Sequence, residues 1–226
     1  MEYAPIPGRA LTRVVTGLGN RALVPFDVPL QPGDDYDGRI ADRVDLGGAN
    51  ARGSLFTECR FDGCLLHEAQ LGGARFVDCA FTGVQASSLQ LAKSAWTDVT
   101  VSDSRFGAVV AHDAMWTRVT ITGGKLDYIN LRGARLVDVT VTGGSIGEID
   151  VGGATLRRMR FVGCRIGHLR VSQAKLTEVD ISTAELSHVV GLDSLRGAII
   201  SEAQLHDLAP AFAEHLGITV ASPDSP

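Results

Sequence analysis

From Leu46 to Leu186 every fifth residue is apolar, through 29 consecutive pentads without a slip of phase. The residue two places earlier, from Val44 to Ala184, is small or apolar and never charged. Only 45% of the chain is hydrophobic, so an unbroken series of this length is not accidental. A helix repeats every 3.6 residues and a strand every 2, and neither keeps step with a period of five. A solenoid does. A second period of 20 is also visible: Leu126 to Ser145, Ile146 to Arg165 and Ile166 to Glu185 align without gaps.

Sorted at that spacing, the pentads fall into four rows of different character. One row sets Ser54, Ala74, Ser94, Ala114, Ala134, Ala154 and Ala174 beside Phe56, Phe76, Trp96, Trp116, Leu136, Leu156 and Leu176. The next sets Cys59, Cys79, Val99, Val119, Val139, Met159 and Val179 beside Phe61, Phe81, Val101, Ile121, Val141, Phe161 and Ile181. Protein interiors pack at crystal-like density, so small and large positions must compensate within each coil. Burial of each Phe or Leu contributes about 1.5 to 3 kcal/mol, which makes this ladder the expected source of stability.

Segments such as Ala69-Gln70-Leu71-Gly72-Gly73, Ala74-Arg75-Phe76-Val77-Asp78 and Ala134-Arg135-Leu136-Val137-Asp138 resemble the A(D/N)LXX unit of pentapeptide-repeat proteins, over about residues 44–188. The resemblance implies an all-β fold: a right-handed quadrilateral β-helix in which each pentad is one side of a square and four make a coil. At the ~4.8 Å spacing of stacked strands, about seven coils make a rod on the order of 35 Å long. Gly-Gly or a polar substitute recurs at the corners, where type II turns need a positive φ.

The flanks differ in kind. Residues 1–43 hold Pro5, Pro7, Pro25, Pro29 and Pro32 and the acidic run Asp34-Asp35-Tyr36-Asp37, without visible pentad phase. They predict an irregular leader that covers the open end of the first coil. After His188 the phase breaks, with Leu195 and Ile200 one place out of step, and residues 189–226 predict a C-terminal cap. Its helix is expected over about 202–216, followed by a loose tail. Ser201-Glu202-Ala203-Gln204 resembles a capping box, and Leu205, Leu208, Phe212 and Leu216 form one apolar stripe before Gly217. Pro210 is expected to kink this helix or divide it in two. The stripe has two readings: it seals the last coil, or it faces a second copy across a twofold axis.

Chemistry is scarce along the chain. There is no Gly-rich phosphate loop followed by Lys-Ser/Thr, no HExxH and no GxSxG. Cys59, Cys64, Cys79 and Cys164 all occupy the inward companion position, as small reduced hydrophobes would. His168 and His188 are 20 residues apart and predict a solvated surface pair. A convex rod without a cleft is a poor place to exclude water from a reaction. The expectation is therefore no catalytic residue, no cofactor and no metal. No apolar run approaches the ~20 residues of a membrane span. The start, Met1-Glu2-Tyr3-Ala4-Pro5, lacks the basic and apolar segments of a signal peptide, which predicts a cytoplasmic location.

The C-terminal end resembles the DNA gyrase-binding branch of the family. That resemblance implies a DNA mimic: an acidic rod that occupies the DNA site of a type II topoisomerase, inhibits it or protects it from antibiotics, and dimerises through its C-terminal helices. Such a rod does not itself bind nucleic acid. Charge tempers the expectation, because residues 44–188 carry 15 acidic and 15 basic side chains, whereas DNA carries one negative charge per ~1.7 Å. One outward row, Glu58, Asp78, Asp98, Asp138 and Glu178, is the candidate partner-binding feature, interrupted by Arg118 and Arg158. Arg157, Arg158, Arg160, Arg165, Arg170 and Lys175 make the later coils basic. The rungs Thr100-Val101-Ser102, Thr120-Ile121-Thr122 and Thr140-Val141-Thr142 resemble the flat arrays of ice-binding solenoids, although Thr is also a good strand former. Two functions follow: a non-enzymatic interaction rod directed at gyrase, or a general scaffold for another protein.

Overall fold

The computed structural model of the chain describes residues 22–26 and 29–221. Pro5, Pro7 and the last five residues of the expected tail lie outside the described residues. The rest is a solenoid of stacked parallel coils followed by one helix. Strands Ala95–Ser102, Met115–Thr122, Arg135–Thr142 and Thr155–Val162 lie on one another at a 20-residue register, so that Trp96, Trp116, Leu136 and Leu156 stack in line. They belong to a 14-stranded sheet, and a seven-stranded sheet from Ala69–Gln70 to Glu185–Val190 closes the other side. Each sheet carries two of the four sequence rows.

Alternation places the rows inside or out. Along Met115–Thr122, Trp116 and Val119 are buried while Met115 and Thr122 are exposed. Corners fall on the pentad position two after the central residue. That position is left-handed through most of the rod, with φ near 50–60° even at Glu58, Asp78, Asp98, Arg118, Asp138, Arg158 and Glu178. Left-handed backbone costs an L-residue about 1–2 kcal/mol. Here backbone hydrogen bonds to the next coil, such as Glu58 N–H to Val77 O at 2.9 Å and Asp78 N–H to Thr97 O at 3.0 Å, hold it in place. The corner after the Leu46 row behaves differently. Gly48 and Glu68 are left-handed, but Ser88, Ala108, Tyr128, Glu148 and His168 run as continuous strand.

The ladder starts earlier than Val44. Asp35–Asp37 and Arg39–Asp42 pair with Leu55–Thr57 and Arg60–Asp62, Tyr36 stacks on Phe56 with centroids 5.0 Å apart, and Ala41 is buried. One row therefore has eight rungs, Tyr36 to Leu176, and the solenoid has about eight turns rather than seven. This part of the expected irregular leader is in phase, with Phe26, Tyr36 and Ala41 at central positions and exposed Gln31 masking the pattern. Val24–Pro25 forms the outermost strand, where a residue without an N–H is tolerated.

At the far end Val179 pairs with Ala198 and Asp180 with Ile199, an interval of 19. This short coil is why Leu195 and Ile200 fall out of step, and pairing continues past His188 to Ile199. The helix α1, Glu202–His215, begins at Ser201 with a capping box: Ser201 Oγ accepts from Gln204 N–H, and Gln204 Oε1 accepts from Ser201 N–H. Pro210 lies inside α1 without dividing it. Pro210 and His206, whose carbonyl loses its partner there, are both exposed, so water can satisfy the freed group.

Candidate interaction surface

The five residues of the acidic row do share one corner. With Arg118 and Arg158 they occupy seven successive coils whose adjacent strands pair at 20-residue register, so neighbours in this row are one rung apart. The two arginines within it are ion-pair partners. Arg118 donates Nε–H and Nη2–H to both Asp98 oxygens at 2.6 Å, and Arg158 donates the same pair to Asp138 at 2.6 and 2.8 Å. These bidentate bonds hold the Asp138 carboxyl below its ordinary pKa, the Arg158 hydrogen bond being the largest cause. The row is thus a charge-alternating zipper from Asp98 onward, preceded by two successive acidic rungs, Glu58 and Asp78.

Charge is also split along the axis. Residues 34–113 hold twelve Asp and Glu against seven Lys and Arg, a net of −5; residues 114–188 hold seven against ten, a net of +3. The neutral total conceals a dipolar rod. Arg132 pairs with the nearly buried Asp150 at 3.1 Å, and Arg170 with Glu148 at 2.6 Å, so part of the basic excess is locally compensated.

Other sequence candidates fall as follows. All four cysteines are buried free thiols. The hydrogen bond shared with Cys59 and then burial push the Cys79 thiol up, and burial does the same to Cys64 and Cys164, which keeps them protonated and unreactive. His168 and His188 stack on the surface at 5.1 Å. Among the described residues no group of three or more His, Cys, Asp or Glu could hold a metal, and no helix is long and apolar enough to cross a membrane. The threonine rungs are paired in register, Thr100 with Thr120 and Thr140, and Ser102 Oγ donates to Thr82 Oγ1 at 3.4 Å.

The C-terminal stripe does not act as a unit. Leu208 and Phe212 are half-buried, but Leu205 is 50% and Leu216 69% exposed. The residue that enters the rod end is Gln204. Its Nε2 donates to the carbonyls of Ile181 and Ala184, each at 2.7 Å. The capping-box pattern located Gln204; its reach to the last coil depends on where α1 sits and left no mark in the local sequence.

The coils and their five-residue sides define a parallel β-solenoid. The family model for the pentapeptide repeat region matches residues 54–131 of the chain. Among solved structures, a trypsin-treated variant of QnrB1, a plasmid-mediated fluoroquinolone resistance protein, is 16% identical, covering 83% of this chain and 99% of that one at a TM-score of 0.36. A second trypsin-treated QnrB1 variant is 18% identical over 84% and 98% of the two chains, at 0.31. HetL, involved in heterocyst differentiation regulation in the cyanobacterium Nostoc sp. strain PCC 7120, is 16% identical over 77% and 92%, at 0.30. No curated protein sequence matches the chain.

Proposed function

We propose that the chain is a non-enzymatic interaction rod whose acidic N-terminal half engages a protein that ordinarily holds DNA, with DNA gyrase or another type II topoisomerase as the partner. The observation that carries this reading is the unbroken acidic run Glu58, Asp78, Asp98 at one corner of three successive coils, inside a half of net charge −5. Four coils at ~4.8 Å span about 19 Å, over which B-DNA carries about eleven charges. The acidic half thus reaches about half that density. The resemblance of the C-terminal end to gyrase binders supports the same partner, and a cytoplasmic location goes with it.

A second reading, a general scaffold, is favoured by the Asp98–Arg118 and Asp138–Arg158 pairs, which spend carboxylates within the rod. A supercoiling assay with purified gyrase, with and without a quinolone, separates the two. Inhibition or drug protection that is lost in a Glu58→Lys, Asp78→Lys double variant and kept in Glu178→Lys supports the topoisomerase reading. No change in supercoiling or drug-induced cleavage at micromolar protein transfers the function to the scaffold. The exposed Leu205 and Leu216 form the face through which α1 pairs with a second copy in this proposal; light scattering showing a monomer at high concentration sinks that part.

A further inference from the structure

The interior is not evenly filled. From the coil of Tyr36 to that of Phe161, every coil carries an aromatic ring at a central position except one, that of Leu136, Val141, Ile146 and Val151. At the same level a second deficit appears. The companion position that holds Cys64, Val84, Ser104 and Cys164 on other coils is glycine at Gly124 and Gly144. Both are left-handed, with φ of 76° and 75°, and a Cβ on either would collide with backbone, of Ser104 and of Gly123 respectively. Only glycine fits that corner, so its side cannot be filled by a larger residue.

These two deficits leave an apolar cavity of about 70 Å³ between Trp116 and Phe161. Phe106, Ile121, Leu126 and Val141 form part of its wall, and Thr122, Gly123 and Lys125 bring it to the surface. There Phe106, Ile121 and Leu126 are only partly buried, whereas Phe61, Phe81, Leu66 and Ile166 in the same rows are buried. Trp96 and Trp116 also line it. Their indole Nε1–H groups are buried and have no acceptor among the described residues. Buried donors are normally satisfied, and an unmet one is costly.

We propose that this cavity is a binding site for a small apolar molecule of about three or four heavy atoms, a short hydrocarbon or halocarbon. Its size follows from volume: an apolar cavity of about 150 Å³ holds benzene, so one half as large takes a guest of about half that bulk. Its chemistry follows from the wall, which is aliphatic and aromatic. Entry is at the Gly123 corner, beside the Asp103 carboxylate. The site is independent of the topoisomerase reading, since it lies beside the threonine face and uses none of the acidic row.

The chain has two tryptophans, and both line the cavity, so its intrinsic indole fluorescence reports on this site alone. Titration of the full chain with chloroform, a heavy-atom quencher of four heavy atoms, should give saturable quenching. Val141→Phe places in the void the ring that Phe61, Phe81 and Phe161 supply elsewhere in the row. It should weaken binding about tenfold or more and raise the melting temperature. Quenching that stays linear in chloroform, or saturates alike in both proteins, overturns the proposal. Xenon NMR on the unaltered chain needs no variant: a saturable bound-xenon shift supports the site, and bulk behaviour alone removes it.

Discussion

In the coils up to Trp116, aromatic rings run along the axis. Phe26, Tyr36, Phe56, Phe76, Trp96 and Trp116 follow one another with centroids 4.8 to 5.5 Å apart where paired, and Phe61 and Phe81 stack beside them at 4.7 Å. Beyond Trp116 the same positions hold Leu136, Leu156 and Leu176, and Phe161 is the interior ring that remains. Backbone pairing is longest in the middle of the rod. Strands are three residues long at Leu55–Thr57 and Arg60–Asp62, eight at Ala95–Ser102, Met115–Thr122 and Thr155–Val162, and three again at Lys175–Thr177. Flat rings suit the interstrand spacing, and offset-stacked pairs gain about 0.5–1.5 kcal/mol beyond the area they bury. Aliphatic chains lack that gain, and the coils of Met115–Thr122, Arg135–Thr142 and Thr155–Val162 carry long ladders, the first two rich in Thr and Val. The comparison teaches that one repeat can be stabilised from within by stacking or along its walls by strand pairing. The cavity lies near the level where the first gives way to the second.

The comparison can be broken most severely at Phe161. Phe161→Asp buries an unpaired carboxylate with neither stack nor water, and should cost more than about 4 kcal/mol and unfold several coils together. An unchanged thermal melt would show that the residue is not in the stack. Next come paired truncations: Phe76→Ala should cost about 3–5 kcal/mol and Leu156→Ala about 2–4. Urea denaturation that ranks Leu156→Ala above Phe76→Ala would contradict the assignment of stability to stacked rings. Gln204→Leu strands the carbonyls of Ile181 and Ala184 and should cost about 1–3 kcal/mol. Hydrogen exchange should then speed up in the last two coils and stay unchanged around Phe56; a uniform increase would argue that α1 is not a local cap.

Smaller effects concern charge. A double-mutant cycle on Asp98 and Arg118, both partly exposed, should return about 0.5–1 kcal/mol, decreasing with added salt. Asp138, whose pKa Arg158 depresses, adds stability that is present above the ordinary carboxylate pKa and lost as pH falls through the lower native value. Asp138→Asn should therefore flatten the acid side of the stability profile below about pH 4 and leave the neutral range nearly level by comparison. An identical acid limb in the variant would mean that the ion pair does not persist in solution.

Much of the fold was legible before any coordinate. The pentad phase placed the cysteines inside, gave the 20-residue coil and aligned the acidic row with its two arginines. Tyr36 and Ala41 escaped because Gln31 and the prolines interrupt the apolar count, although stacking of Tyr36 on Phe56 shows that the phase had already begun. Leu205 and Leu216 read as one stripe with Leu208 and Phe212, yet only the latter two are half-buried. Helical spacing says which residues share a face; it does not say how α1 is rotated against the last coil.

The sequence by itself determined the coil, its register and which side chains point inward. In a solenoid each coil touches only its neighbours at a fixed offset, so a periodic pattern is sufficient to encode those contacts. The tertiary structure alone decided the bidentate pairs within the acidic row, the entry of Gln204 into the rod end and the void beside Gly123 and Gly143. Each depends on the summed volumes, backbone angles and side-chain reach of residues on several coils, and no period along the chain carries that sum.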